Sequence, residues 1–381
     1  MSRANLIIKK VRENLAFFIY LYDNLCIMFT LILLYTCRYD YKEVKEMAVN
    51  VKSCYLYLLD NVHQMFMPTE RPIDDTVDGA YHFLEKNIEK CMKNAGGRPA
   101  VFKEDSEARQ LFLDYRNRAI EFSEFAEKIA AKRFDIKDRY EIFTSTDLFL
   151  CEVTISDQDY VVGLELTCKE GMVHHVNQSE TGIQNNLIVH QAIIPAASLS
   201  SANFFAISLD KLTLTILENM TVTVDDDTFL YADKILGCKT EISVKEAVKK
   251  ARIVADEVIK NHDLDKLEVV PALERVIKET INEGKDLDLK EVAEEVFYQV
   301  PEAKLTYVTQ IEEDHGIKKP VQNTNWVKMP LKKTQKIKTD TGIEITIPLD
   351  YYNNKDYIEV INMPDGRLSI QIKNVGNIEN K

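Results

Sequence analysis

Two clusters of residues have the side chains of a metal site. His174, His175 and His190 carry imidazole nitrogens that could ligate a transition metal. Adjacent residues of a strand point to opposite faces, so only one of the first two could share a site with His190. The run Asp225–Asp227 could hold Mg²⁺ or Ca²⁺, but it lacks the spacing of an EF-hand. Acidic side chains at the start of a helix from Phe229 explain the run without a metal, so neither cluster predicts a metal site.

Sequence motifs of the common enzyme classes are missing from the chain. It contains no P-loop, no G-x-G-x-x-G, no G-x-S-x-G elbow and no H-E-x-x-H. The seven cysteines are an odd number, widely scattered and without a CxxC pair, which argues against a disulfide framework and against a zinc site. We predict a non-enzymatic protein without a cofactor, whose cysteines are buried thiols.

A basic interval near the C-terminus is the strongest candidate for a binding site. The whole chain has a net charge of −13, yet no acidic residue occurs between Asp314 and Asp340. That interval holds seven lysines, which could neutralise phosphates in a sequence-independent and salt-sensitive way. It also holds the only tryptophan, which could stack on an exposed base. The candidate DNA-binding residues are Lys318, Lys319, Trp326, Lys328, Lys332, Lys333, Lys336 and Lys338.

A second interpretation of the interval remains open at this point. Seven lysines on a solvated loop would also keep the chain soluble, and a single tryptophan is often a packing anchor. Composition does not decide between the two interpretations. Because the chain is acidic as a whole, with a pI near 5.2, any contact with nucleic acid has to come from such a local patch.

The elements of the first half predict an α+β domain. Residues Val49–Leu59 alternate as a strand does, and Asp78–Asn94 have the apolar spacing of a helix. The stretch Asp105–Lys132 predicts one long or two short helices. The runs Asp147–Ile155 and Asp159–Cys168 predict strands of a hairpin, because only a short polar turn separates them. Further strand-like runs, "NNLIVHQAIIP" and "FFAISLDKLTLTIL", predict a mainly antiparallel sheet with flanking helices.

The second half predicts a small helical domain and then a small β unit. Ser243 and Glu246 have the spacing of a capping box, which predicts a helix over Val244–Lys260. Two more helices are expected over Pro271–Glu283 and Asp288–Tyr298. After Pro301 the chain is expected to be looser, "IEEDHG" being an exposed acidic turn, before terminal strands joined by the turn "MPDG". The predicted domains are residues 47–226, 227–315 and 316–381.

The N-terminal 46 residues have two interpretations. Leu15–Cys37 are apolar over more than the roughly 20 residues that a membrane span needs, and basic residues precede them. Asp23 and Asn24 lie within the run and are costly in hydrocarbon. In the second interpretation, Lys42–Val44 can be encoded by a bacterial ribosome-binding sequence, at the spacing that a start codon at Met47 needs. In this second interpretation, residues 1–46 are translated upstream sequence and Met47 is the start. In the first interpretation, they are a membrane anchor.

From Met47 onward, the order of segments resembles the bacterial 37-kilodalton nucleoid-associated protein family. The resemblance covers nearly all of residues 47–375 and rests on pattern across the chain, not on a catalytic signature. It is carried by "LLDN", "AYHFLEKNIEKCMKN", "DLFLCEVTISDQDYVVGLEL", "AISLDKLTLTILE", "FLYADKILGCK" and "VKMPLKKTQKIKTDTGIEITIPLDYY…GRLSIQIKN".

The resemblance implies a non-enzymatic cytoplasmic protein of the nucleoid that binds DNA without marked sequence preference. Some members of that family affect type II topoisomerases. Two functions are therefore expected: a DNA-binding nucleoid protein, with homodimers as one expected form, or a protein-interaction module that regulates a DNA enzyme such as a type II topoisomerase. Membrane contact is expected only if residues 1–46 belong to the native protein.

Overall fold

The computed structural model describes most of the chain after residue 46. It describes residues 47–76, 79–179, 182–194, 202–218, 221–224, 226–323, 327–329, 334–348, 351, 356–363 and 367–377. Residues Ala48–Lys381 form one compact unit. The predicted hydrophobic extension, residues 1–46, lies outside the described residues. Within the described part of the chain, no helix combines the length and apolarity that a membrane crossing requires.

The largest element of the fold is an eight-stranded antiparallel sheet. Every described pairing between its strands is antiparallel. The predicted α+β class with a mainly antiparallel sheet is thereby confirmed. The strands are β1 (Val49–Asp60), β2 (Met65–Met67), β3 (Arg98–Phe102), β4 (Ser145–Ile155), β5 (Gln158–Thr167), β8 (Ala202–Ser208), β9 (Thr213–Leu217) and β12 (Cys238–Thr240). Across the sheet they follow the order β12-β3-β9-β8-β5-β4-β1-β2.

The hairpin that the sequence predicts between β4 and β5 lies in the interior of the sheet, flanked by β8 and β1. The two strands pair from Ile155 opposite Gln158 to Thr146 opposite Thr167. The turn residues Ser156 and Asp157 both have positive φ, 46° and 70°, as in the two-residue turns that match the twist of a hairpin. Both strands are largely apolar on both faces, as expected for interior strands of a sheet that are buried.

Three helices belong to this first part of the chain: α1 (Ala80–Met92), α2 (Glu107–Arg116) and α3 (Phe122–Arg139). The stretch predicted as one or two helices is two, and the second extends beyond the predicted Lys132. Apolar side chains of α2 and α3 share one core with the sheet and with the π-helix Leu230–Ile235. Four of the five described cysteines are buried free thiols, as expected, whereas Cys168 is a free thiol that is only half-buried.

Four helices build a second hydrophobic core: α4 (Val244–Asn261), α5 (Lys266–Asn282), α6 (Leu289–Val296) and α7 (Pro301–Glu313). The predicted cap at Ser243 is confirmed, because its hydroxyl accepts a hydrogen bond from the Glu246 N–H at 3.2 Å. Helix α5 begins five residues before the predicted Pro271, capped by Asp265. The division into domains 47–226, 227–315 and 316–381 stays a prediction.

The sequence analysis was wrong about the chain after Pro301. A fourth helix, α7, begins at Pro301, because proline has the φ of a first helical turn and that position needs no N–H donor. The first three residues of "IEEDHG" are the last residues of this helix and not an exposed turn, and Ile311 is buried in the second core.

Four two-stranded sheets complete the described strands. The first, the β6–β7 ribbon, consists of β6 (Lys169–Ser179) and β7 (Gly182–Ile193) and does not join the main sheet, where the sequence analysis had placed β7. Strands β10 (Thr221–Val224) and β11 (Asp226–Phe229) form a short hairpin. The expected terminal β unit is two hairpins, built from β13 (Thr334–Lys338), β14 (Glu344–Pro348), β15 (Ile358–Asn362) and β16 (Leu368–Ile372).

Candidate nucleic-acid interface

The β13–β14 hairpin separates its polar from its apolar side chains. Lys336 and Lys338 lie two residues apart on β13, so they share one face, where they oppose Thr346 and Glu344. The intervening Ile337 lies on the other face with Ile345 and the buried Ile347. Period-two alternation therefore fixes the two lysines on the exposed face, roughly 7 Å apart along the strand.

The two lysines of β13 differ in their partners. Lys338 Nζ lies 3.2 Å from Glu344 Oε1, and both side chains are more than half exposed. An exposed ion pair of this kind contributes little to the stability of the fold and is easily broken. Lys336 is exposed and forms no ion pair within the described chain. Its ammonium group is free to meet a phosphate.

Lys318 and Lys319 lie on a surface loop that is anchored at both ends. Ile317 and Val321 are buried in the second core, and the residues between them are exposed. Val321 exchanges two backbone hydrogen bonds of 2.9 Å with Leu287. Neither lysine forms an ion pair in the part of the chain that the structure describes. The loop thus presents two unpaired cations from a fixed backbone.

The chain that follows this loop is fastened to the end of α5. The Asn282 side chain accepts a hydrogen bond from the Met329 N–H at 2.9 Å and donates one to the Met329 carbonyl at 3.1 Å. Lys328 Nζ donates to the Asn282 carbonyl at 2.5 Å, where a cation favours the C-terminal end of the helix. Asn323 similarly donates to the Ile281 carbonyl at 3.0 Å. Lys328 therefore has a contact within the protein in addition to its predicted contact with DNA.

The remaining candidates, Trp326, Lys332 and Lys333, lie outside the described residues, and their roles stay predictions. Among the described residues, no hydrogen bond or ion pair joins the loop of Lys318 and Lys319 to the β13–β14 hairpin. The described candidates thus lie on two elements: Lys318, Lys319 and Lys328 on chain that is anchored to the helical core, and Lys336 and Lys338 on the hairpin.

The charge balance of the chain singles out the same region. Residues 316–381 carry eleven basic and seven acidic side chains, a net of +4, whereas residues 1–315 carry −17. On the helical core, several cations are paired with carboxylates, as in Lys290 with Glu312 at 2.6 Å and Lys304 with Glu294 at 2.9 Å. The loop and the hairpin combine exposed cations that lack such partners with a net positive segment, which makes them the candidate phosphate-binding surfaces.

The histidine cluster does not form a metal site. His190 pairs with Gly171 and shares a face of the ribbon with His175, but these positions are four residues apart along β6, about 13 Å. His174 lies on the opposite face, as expected for adjacent residues of a strand. Within the described ranges, no group of three histidines, cysteines or carboxylates is placed to hold a metal ion.

The aspartate run also differs from the prediction. Asp226 and Asp227 lie on β11, opposite Val224 and Thr223, so they do not begin a helix. The helix that follows is the short π-helix from Leu230. The helix was expected from Phe229, which is instead the last residue of β11; Asp225 itself lies outside the described residues.

Sequence reasoning missed a buried polar cluster around Glu165. This carboxylate on β5 is enclosed by Arg133, Lys137 and Tyr231, all buried. Nearby, Glu218 accepts hydrogen bonds from the Tyr231 and Ala232 N–H groups at 2.8 and 3.4 Å, and burial raises its pKa to about 7. A lone glutamate in the apolar strand "VVGLEL" was the available signal. The cluster ties α3 to the sheet, so we assign it to the fold.

These features define a class: an acidic α+β protein with an antiparallel sheet, a helical core and a net positive C-terminal part. The chain belongs to the NA37 family, described as "Nucleoid-associated protein YejK", whose model matches residues 58–380. This match spans more than four fifths of the chain and confirms the resemblance seen in the sequence. The family is one of nucleoid-associated proteins, not a known enzyme family. No curated protein matches the chain.

Proposed function

We propose that this protein binds DNA without marked sequence preference, at the nucleoid in the cytoplasm, and catalyses no reaction. Membership of a nucleoid-associated family supports the location. The observation that carries the DNA contact is the charge distribution. The net positive residues 316–381 include Lys318, Lys319 and Lys336, which have no carboxylate partner in the described chain. The proposed contact set is Lys318, Lys319, Trp326, Lys328, Lys332, Lys333, Lys336 and Lys338.

Lysine chemistry accounts for the lack of sequence preference. An ammonium group is a point charge without the planar fork with which arginine reads a base edge. Lysines on an exposed strand face and on a surface loop would neutralise phosphates and release counterions, whatever the base sequence. The remaining chain carries −17 and repels the same polyanion, so it leaves the basic part as the surface that faces DNA.

A triple replacement tests the proposal. Lys318→Gln, Lys319→Gln and Lys336→Gln together should weaken binding of the full chain to arbitrary duplex DNA by a similar factor for every sequence. The plot of log affinity against log salt should flatten by up to about 2.7, since each lost phosphate contact removes about 0.9. Fluorescence anisotropy at several salt concentrations measures both effects.

The matched control carries the same change of net charge on the helical core. Lys266→Gln, Lys290→Gln and Lys304→Gln replace lysines that are already paired with carboxylates. This variant should keep the parent slope. Equal losses of DNA affinity in both triple variants, or no loss in either, would contradict the assignment of DNA contact to the basic segment.

A second candidate function is favoured by the β6–β7 ribbon, which exposes large apolar side chains. A protein-interaction module that regulates a DNA enzyme such as a type II topoisomerase would use an apolar surface of this kind. Retardation of arbitrary duplex DNA by the purified protein at low salt separates the two functions, because the module would touch DNA only through its partner.

A further inference from the structure

Two tyrosines of the terminal β unit form an exposed aromatic pair. The ring centroids of Tyr351 and Tyr357 lie 4.6 Å apart, and the ring planes are inclined by 38°. The two residues still keep 44% and 38% of their surface exposed. Phe112 and Phe125 show the contrast, because that ring pair is fully buried in the first core. The tyrosine pair therefore leaves ring surface open to a ligand.

The register of the β15–β16 hairpin places further side chains beside Tyr357. A backbone hydrogen bond of 2.8 Å from the Lys373 N–H to the Tyr357 carbonyl continues the pairing by one residue beyond the strands. At the other end, the Met363 N–H donates to the Arg367 carbonyl at 2.8 Å. Because alternate residues of a strand share a face, Tyr357 belongs to a mostly polar face, which we call the tyrosine face. Its other members are Glu359, Ile361, Met363, Arg367, Ser369, Gln371 and Lys373.

The polar groups of the tyrosine face suit a polyanion. Arg367 and Lys373 flank β16, roughly 20 Å apart along the strand. Ser369 and Gln371 lie between them, are exposed and can donate hydrogen bonds. Glu359 is the one carboxylate of the face and pairs with Lys373. Two cations and one carboxylate leave the face a net charge of +1, within the net positive residues 316–381.

We propose that the tyrosine face binds single-stranded DNA, with unpaired bases stacked on Tyr351 and Tyr357. Stacking on a side chain needs the flat side of a base, which a single strand exposes and a duplex covers with the neighbouring base pairs. Every base has such a side, so the contact needs no particular sequence. Arg367 and Lys373 would meet phosphates on either side of the stacked bases. The inference rests on the proposed DNA binding and adds a second form of DNA, held at a different site.

Salt separates this site from the lysines proposed to contact duplex DNA. Contacts between lysine and phosphate release counterions, so they weaken as the salt concentration rises. Stacking of a base on a ring neutralises no phosphate and depends less on salt. Loss of the tyrosine rings should therefore lower affinity without changing the salt dependence, whereas loss of lysines changes both.

Replacement of the two rings tests the site. The full chain is titrated against labelled oligothymidylate and against a duplex of mixed sequence, with fluorescence anisotropy at several salt concentrations. Tyr351→Leu with Tyr357→Leu should weaken binding to oligothymidylate by roughly 5- to 100-fold for each stacked base that is lost. Duplex affinity and both salt slopes should stay those of the parent. Tyr351→Phe with Tyr357→Phe keeps the rings and should bind both DNAs as the parent does.

The matched control is Tyr298→Leu. Tyr298 is 70% exposed but lies on the helical core, between α6 and α7, so its loss should change neither affinity. Unchanged oligothymidylate binding in the double leucine variant, or an equal loss in the double phenylalanine variant, would overturn the proposal. A parent that binds the duplex and not oligothymidylate would overturn this inference alone. A parent that binds neither DNA would overturn the proposed function as well.

Photo-cross-linking tests the stacking in the parent chain, without relying on a variant that has to fold. Oligothymidylate that carries iodouracil is irradiated in complex with the protein, which couples the base to an aromatic ring in contact with it. Mass spectrometry of the digested complex should place the cross-link on Tyr351 or Tyr357. Cross-links confined to aromatic residues outside the pair, such as Trp326 or Tyr298, would contradict the proposed site.

Discussion

Arg133 on α3 and Glu165 on β5 form an ion pair inside the protein, with 2.9 Å between Nε and Oε2 and both side chains 1% exposed. The carboxylate also accepts a hydrogen bond from the Thr146 hydroxyl at 2.9 Å and from the Tyr231 hydroxyl. The Arg133 guanidinium lies 4.7 Å from the centre of the Tyr231 ring. A buried charge pair of this kind is costly to break, because the remaining charge has no water.

Replacement of Glu165 by glutamine should lower the free energy of unfolding by about 3–5 kcal/mol, since Arg133 and Lys137 lose their counter-charge in the core. Urea denaturation measures the loss. Glu124→Gln is the control, because that carboxylate forms an exposed pair with Lys128 and should change stability by less than about 0.5 kcal/mol. Similar losses of unfolding free energy in the two variants would show that the buried cluster does not hold α3 against the sheet.

The same carboxylate predicts a dependence on pH. Burial would raise the pKa of Glu165, but the charges of Arg133 and Lys137 lower it to about 2. The unfolded chain has the higher pKa, so the stabilisation is present above about pH 4.5 and is lost as the pH falls toward 2. Between those values the urea midpoint of the parent should fall more steeply than that of Glu165→Gln. Parallel curves would contradict the lowered pKa.

Glu218 should give the stability of the fold the opposite dependence on pH. Burial raises its pKa to about 7, although two backbone N–H groups favour the charged form. The folded chain therefore binds a proton more tightly than the unfolded one between about pH 4.5 and 7, and this contribution is lost as the pH rises through 7. Relative to Glu218→Gln, the parent should lose of the order of 1–3 kcal/mol between pH 5 and 8. A constant difference between the two proteins over this range would exclude the raised pKa.

Gly163 is fixed by its neighbour on the adjacent strand. A Cβ atom at this position would lie 2.2 Å from Phe205 Cε1, and Phe205 is fully buried. Gly163→Ala should therefore destabilise the fold by about 1–3 kcal/mol through overpacking, although alanine usually stabilises by restricting the unfolded chain. Gly376→Ala is the control, because open space surrounds that position. A thermal midpoint of Gly163→Ala at or above that of the control would contradict this close packing.

Local signals predicted local structure well. The cap at Ser243 and the β4–β5 hairpin follow from a few adjacent residues, and both are confirmed. Helix α7 was missed because Pro301 signals a break and a helix start equally well. For the candidate site, the lysines could be named from the sequence, but the partners of Lys338 and Lys328 depend on strand register and tertiary contact. Strand alternation also did not predict which sheet β7 joins, because that depends on non-local pairing.

Glu344 offers a gain-of-function test of the DNA contact. Its carboxylate pairs with Lys338 on the lysine-bearing face of the β13–β14 hairpin, at 3.2 Å. Glu344→Gln frees that ammonium and removes a repulsive charge, so duplex DNA should bind more tightly. The slope of log affinity against log salt should steepen by up to about 0.9, the value of one added phosphate contact.

The control for this variant is Glu295→Gln on the helical core, which makes the same change of net charge. Glu295 pairs with Arg275 at 2.9 Å and is 53% exposed, close to the 58% of Glu344. If the hairpin face contacts DNA, Glu344→Gln should bind duplex DNA more tightly than Glu295→Gln. Its plot of log affinity against log salt should also be steeper. Equal gains would mean that DNA senses only the net charge of the protein, and the hairpin would lose its assigned role.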